Sequence, residues 1–319
     1  MSKQSGAAKK SIFKDQRVLL GIVIIAIIAV VSFINPKFIA VKNMITILQQ
    51  ISVTGILTMA MSILLIGGGV DLSIGNLMVL SGVSMAELTS LGYSVPIAVL
   101  AGIAVGIAGG LLNGVIIARS KCIPLIITLG TSQVFYGLAL TVSGGRIMSF
   151  DGAFNFIGKT KLGGVFPVML FVLAIVIVIS YIVMNYTKFG RRLTCIGGNE
   201  KTAFLSGINV VRYKAIMYGI AGFYCAIAAI VFSSRIDSIT ANAGSGYETN
   251  ALTAAIIGGV TFDGGKGTIT GAFLGCILMG VISNAMNILK VETYVQTIIT
   301  GVIIVCAVVL SNYNNIKRS

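Results

Sequence analysis

The chain has 319 residues, of which 56% are hydrophobic and only 10% charged, with a mean hydropathy of +1.00. A soluble domain carries about a quarter charged residues, so this composition excludes an ordinary water-soluble fold and calls for lipid as solvent. The net charge of +14 is spread over short segments, which reads as a topology signal and an attraction to anionic lipid, not as nucleic-acid binding.

Five basic residues precede the first apolar run, Val18 to Ile34. The run is too long for a secretory signal and ends without a small-residue cleavage site, so it is read as a retained first membrane helix. Further apolar runs lie near 45–66, 72–91, 96–117, 123–142, 166–185, 215–234, 249–260, 266–288 and 294–311. They predict an all-α, polytopic transmembrane bundle of about ten spans, the eighth being short for a crossing. A residue 1–17 tail and a residue 314–319 tail flank a membrane domain over 18–313. With the N-terminus inside, 16 of the 23 Lys and Arg fall on the inner side, so both termini are expected in the cytoplasm of a cell-membrane protein.

The five cysteines (Cys122, Cys195, Cys225, Cys276, Cys306) form no CxxC pair, and the chain has no histidine. No disulfide framework, metal site or cofactor is expected.

The first segment with chemical content is Gly67-Gly68-Gly69-Val70-Asp71-Leu72-Ser73-Ile74-Gly75-Asn76. Three glycines should stop a helix, and Asp71 and Ser73 stand where the next one starts. Asp71 is either a cap alone or a cap that also lines a path, because irregular backbone at membrane depth survives only beside water or protein. Ser73, Gly75 and Asn76 belong to the same candidate broken-helix site. Leu57–Gly75 and Leu252–Gly267 share a pattern running from Leu-Thr through a diglycine to Asp and Gly. This is either an internal repeat of the kind transporters use or a coincidence of glycine-rich composition.

The longest basic segment runs from Tyr186 to Lys214. Within it Asn199 is placed to cap a short helix over Glu200–Ser206, and Gly207 to end it in a left-handed turn. Phe204 and Ile208 are expected on one face. That helix packs either on the bundle or into the groove of a cytosolic partner. Ser234 to Glu248, containing Asn242, Gly246, Tyr247 and Glu248, counts as an outer segment. It is either a solvated loop with a local Arg235–Asp237 pair or an outer gate and docking surface. Gly258–Thr268 resembles a phosphate loop but fails it: Val260 stands where the first glycine is needed, and Gly267 where Ser or Thr is needed. Gly267, Gly271, Gly275 and Gly280 instead suit close helix packing.

In order, GGGVDLSIG, FGRRLTCIGGNEKTAFLSGINV, NAGSGYE and GGVTFDGGKGTITGAFLG resemble the ribose/xylose-type permease family of ATP-binding-cassette importers, over about Asn35 to Tyr313. The resemblance implies a type II importer fold, and a monosaccharide permease subunit without an ATPase site of its own. Its implied partners are a second permease copy or paralogue, a cytosolic ATPase, and an extracytoplasmic sugar-binding protein. It further implies that Gly197, Gly198, Asn199, Glu200, Lys201, Phe204 and Gly207 form the segment touching the ATPase. Thr261-Phe262-Asp263 and Lys290 depart from the family pattern, where a serine-containing turn and a glycine are common. The alternatives are an ion-coupled secondary transporter, which would place ionisable groups deep in the spans, and an intramembrane enzyme, for which no catalytic pair is visible.

Overall fold

The computed structural model describes residues 16–120, 122–158, 160–162 and 166–316, with side chains not described at 161, 162 and 310–316. The expected N-terminal tail therefore lies outside the described residues except for Gln16 and Arg17, and so does the C-terminal tail beyond the backbone of Ile316.

The first five helices are α1 (Gln16–Ile34), α2 (Val41–Ile66), α3 (Ile74–Ser90), α4 (Val95–Ser120) and α5 (Pro124–Ser143). The short α6 (Asn155–Gly158), then α7 (Val168–Tyr186), α8 (Lys188–Gly198) and α9 (Glu200–Leu205), lead to the long α10 (Val210–Ile236). The chain ends in α11 (Tyr247–Ile257), α12 (Ile269–Ile288) and α13 (Thr293–Ile316). A helix thus stands at each of the ten expected spans. Seven are long and apolar enough to cross a membrane, whereas α3 has 17 residues, α11 only 11, and α13 is a shorter apolar helix over its fully described part, Thr293–Val309. Two 3-10 turns (Pro36–Ile39 and Ala241–Gly244) and two small antiparallel pairs complete the described structure: β1 (Met148–Ser149) with β4 (Ser238–Ile239), and β2 (Lys161–Leu162) with β3 (Phe166–Pro167).

Burial sorts the helices into an inner and an outer set. The apolar stretches of α2 and α10 are 78% and 72% buried, against 17% for α1 and 22% for α4 and α5. The outer helices therefore carry apolar side chains such as Ile25, Phe33, Leu100, Ile126 and Ile175 on open surface. Only lipid or another subunit can cover an apolar surface of that extent.

Glycine sets how closely α4 and α10 approach. Gly102, Gly106, Gly110 and Gly114 recur every fourth residue along α4 and lie on one face. A methyl at Gly110 would strike the Tyr218 carbonyl, and one at Gly222 would strike the Gly106 carbonyl, so the two backbones touch. The same device joins α12 to α11, where Gly271 and Gly275 meet the Gly258 and Ala254 carbonyls, as expected for those two glycines. Gly280 packs on Ile51 of α2, and Gly267 lies in the turn before α12 at φ +143°.

Candidate functional site

Both glycine-rich breaks stop their helices in the same way. At the end of α2, the Gly67 N–H donates to Ile63 O, the Gly68 N–H to Leu65 O and the Gly69 N–H to Leu64 O, with Gly68 at φ +76°. At the end of α11, Gly258, Gly259 and Val260 donate to Ala254, Ile256 and Ala255, with Gly259 at φ +89°. The second glycine of each pair adopts the left-handed conformation that a side chain resists. The repeated sequence pattern thus has a repeated geometry.

After the first break the chain turns back into the bundle. Asp71 is 1% exposed. Its Oδ1 accepts the Ser73 N–H at 2.8 Å and the Ser73 hydroxyl at 2.5 Å, and its Oδ2 accepts from Asn113 Nδ2 of α4 at 3.1 Å. The same Asn113 nitrogen lies 2.9 Å from Ser73 Oγ, and the Tyr218 hydroxyl of α10 donates to Val70 O at 2.9 Å. Asn113 sits seven residues from the end of α4, and Tyr218 eight residues into α10. At 1.5 Å rise per residue, the break lies about 10–12 Å inside the bundle.

Asp71 does not cap α3 as expected. Ser73 occupies the N-cap without a side-chain cap bond, and the carboxylate is spent on Ser73 itself and on α4. The reason is geometric: the Asp71 side chain faces Asn113 of α4. Among the described residues no basic side chain pairs with Asp71.

Gly75 and Asn76 also make cross-helix contacts. Asn76 Nδ2 donates to Ser132 Oγ of α5 at 2.8 Å. The Gly75 and Gly244 backbones touch, and a methyl at Gly75 would also come within 2.6 Å of Glu248 Oε2. This contact packs the segment from Asp237 to Gly246 on the bundle, so it is not the solvated loop that one of the two expectations allowed. From the end of α10 it folds back along α3, with Ile239 against Gly82 and Gly244 against Gly75. Asn242 accepts from the Tyr136 hydroxyl at 2.8 Å. Gly246, at φ +85°, starts α11 and donates its N–H to Glu248 Oε1 at 3.2 Å. Tyr247 stacks edge-on against Phe232. The candidate path residues Gly75 and Asn76 and the candidate gate residues Gly246 and Glu248 therefore form one region.

The expected Arg235–Asp237 pair is absent. Asp237, left-handed at φ +61°, accepts the Gly152 N–H with both oxygens, at 3.0 and 3.1 Å, while Arg235 donates to Gln49 O at 3.3 Å. Asp237 caps the end of α10, which turns its carboxylate toward the turn before α6 and away from Arg235.

The basic segment builds two helices. Thr187 caps α8, accepting the Gly190 N–H at 3.2 Å, and Asn199 caps α9, accepting the Thr202 N–H at 2.9 Å. Gly207, at φ +79°, closes α9: its N–H donates to Phe204 O and the Ile208 N–H to Ala203 O. Ile208 accordingly packs with Ala203, Ile196, Val210 and Tyr213, whereas Phe204 and Leu205 are 67% and 75% exposed. Phe204 and Ile208 do not share a face, because the glycine turn reverses the chain between them. Glu200 is tied to Lys214 of α10 at 2.5 Å. Lys201 is exposed beside it.

The two breaks and this segment converge. The Gly265 N–H donates to Ile66 O at 2.9 Å. A methyl at Gly197 would strike the Ile66 carbonyl and lie 2.7 Å from Gly265 N, while one at Gly264 would lie 2.7 Å from Gly197 O and 2.9 Å from Gly68 Cα. Gly198 presents its own Cα to Gly265 and has open space on its side-chain face. Three chain segments thus meet backbone to backbone, which only glycine permits. The expectation had Gly197 and Gly198 but not this junction. Their signal was the diglycine matching those of the two breaks.

Lys290, where the family pattern favours glycine, has φ +57°. The left-handed backbone explains the glycine preference, and lysine here carries the strain.

A family profile described as branched-chain amino acid transport system / permease component matches residues 43–308. The ribose import permease protein of Bacillus subtilis (strain 168) is 35% identical over 294 residues, covering 91% of this chain and 90% of that protein. The D-allose transport system permease protein of Escherichia coli (strain K12) is 35% identical over 289 residues, covering 89% and 88%. The L-arabinose transport system permease protein of the same strain is 34% identical over 314 residues, covering 97% and 95%. No solved structure matches the chain. With five-sixths of its length matched by the profile and its helices built for lipid, this chain belongs to the branched-chain amino acid transport system / permease component family of multi-pass membrane proteins.

Proposed function

We propose that this chain is the membrane-spanning subunit of an ATP-driven importer that carries a monosaccharide into the cell. The observation that carries this reading is the whole-length similarity to ribose, allose and arabinose permease proteins, at 34–35% identity. The family description names branched-chain amino acids, yet these relatives are sugar permeases from end to end of the chain. They lend no support to an ion-coupled carrier.

ATP hydrolysis belongs to a separate cytosolic subunit, and the sugar arrives from an extracytoplasmic binding protein. The exposed Phe204 and Leu205 at the tip of α9 are the contact offered to the ATPase, held in place by Asn199, Gly207 and the Glu200–Lys214 pair. Lys201 contributes charge at the rim. Gly197 and Gly198 join that contact to both helix breaks, so a push on α9 reaches the Asp71–Ser73–Asn113 cluster through rigid backbone. Gly75, Asn76, Asn242, Gly246, Tyr247 and Glu248 form the polar seam along which the path opens. Both termini and the Gly67 end of α2 face the cytoplasm, and a second permease subunit covers part of the apolar outer surface.

The test is reconstitution. Co-expression with the ATPase and the secreted binding protein from the same gene cluster should give ATP-dependent uptake of labelled ribose, allose or arabinose in vesicles. Uptake that persists without ATP but collapses with the ion gradient would overturn the reading.

A further inference from the structure

A cavity of about 260 Å³ opens between α2, α11, α12 and α13, apart from the Asp71 cluster. Its wall includes Gln50 and Thr54 of α2, Tyr247 and Asn250 of α11, and Ser283 of α12, with Arg235 among the lining residues. The side chains of these five uncharged residues form no hydrogen bond with the described residues, and Gln50 Oε1 is fully buried without a partner. Hydroxyls and amides in membrane proteins ordinarily find intrahelical or interhelical partners, as Thr58, Ser62 and Ser180 do here. Five unspent groups around one hollow are hydrogen-bonding capacity kept for something that enters it.

We propose that this cavity is a monosaccharide-binding station within the single subunit; the proposal rests on the importer reading above. The volume lies just below the about 300–1,000 Å³ of small-molecule pockets, which suits a pentose or hexose. Sugar hydroxyls both donate and accept, matching a lining of carboxamides and hydroxyls that do the same. The Tyr247 ring and Met279 give an apolar surface for the sugar's C–H face. An amino acid fits poorly: no Asp or Glu lines the cavity, so its ammonium would enter without a counter-charge. Groups of modest strength spread around the wall suit brief occupancy, which a transport intermediate needs.

The chain contains no tryptophan, so Tyr247→Trp installs the chain's sole tryptophan in the wall, which is excited selectively at wavelengths the tyrosines do not absorb. The full-length variant in lipid nanodiscs is titrated with D-ribose, D-allose, L-arabinose and L-leucine. A saturable emission change is expected with at least one sugar and none with leucine. Adding Asn250→Ala should weaken the sugar response about two- to tenfold, the worth of one hydrogen bond. A folded variant that answers to none of the sugars, or equally to leucine, overturns the proposal. In the complete importer, Ser283→Trp fills the cavity and should stop uptake while ATP hydrolysis stimulated by the binding protein continues. Unimpaired uptake would also overturn it. Failure of the wild-type assembly to import any sugar would instead break the importer reading, and the fluorescence titration would still decide the cavity.

Discussion

The two glycine breaks start alike and end differently. Each stops a helix with a left-handed glycine and the same three backbone bonds. After Gly67–Gly69 the chain dives inward, and Asp71 is buried with both oxygens held. After Gly258–Val260 the chain stays at the rim, with Phe262 and Asp263 exposed before Gly264 and Gly265 close the turn and Lys266 exposed after it. The same stop signal therefore makes an internal hinge point in one place and a surface contact in the other. The residues beyond the glycines make the difference: an aspartate with a partner waiting on α4, or a glycine-rich turn that must fit against α8.

The largest effect is expected where both breaks depend on one residue. Gly197→Ala puts a methyl into the Ile66 carbonyl and against Gly265, costing about 1–3 kcal/mol of overpacking and uncoupling ATP hydrolysis from uptake. Gly198→Ala meets nothing within 4 Å and should leave both intact. Thermal unfolding in detergent and coupled uptake assays on the pair would show whether the breaks are joined at this point.

Next comes the contrast between the two acids. Asp71→Ala leaves the Ser73 N–H and hydroxyl buried without their acceptor and the Asn113 amide with Ser73 Oγ alone, a loss of about 1–3 kcal/mol accompanied by a fall in uptake. Asp263 is exposed, where an ionic or polar partner contributes at most about 1 kcal/mol, so Asp263→Ala should cost less than Asp71→Ala. Equal effects in a thermal-shift comparison would erase the distinction between the breaks.

The smallest contrast lies in the left-handed glycines. Gly68→Ala and Gly259→Ala share about 1 kcal/mol of backbone strain. Gly68→Ala should be the worse, since its methyl sits 3.2 Å from the Gly197 backbone, whereas the Gly259 methyl meets only the flexible end of Gln16. Denaturation midpoints of the two variants measure the difference.

Much of this is legible in the chain. The ten helices follow from apolar length, and the Asn199 cap and Gly207 stop from residue types at the right spacing. The Gly102-Gly106-Gly110-Gly114 ladder carries a readable signal in its four-residue period, although the motifs picked from the sequence do not include it. The packing of the Asp237–Gly246 segment along α3 is not legible, because its contacts at Gly75 and Gly82 lie far away in the sequence. Asp71 looks like a cap because local spacing cannot reveal Asn113, 42 residues away on another helix. Phe204 and Ile208 fall on one face only if helical spacing is carried through Gly207, where the helix has already ended.

The central claim is that α9 hands mechanical work from an ATPase to the two breaks through Gly197. Its most direct measurement is site-directed crosslinking in the assembled importer, with Phe204→Cys introduced after Cys122, Cys195 and the other native cysteines are replaced by serine. The account predicts a disulfide-length crosslink from position 204 to the ATPase subunit that weakens or strengthens with bound nucleotide. Crosslinks confined to the permease itself or to lipid, with ATP-driven uptake intact, would contradict it.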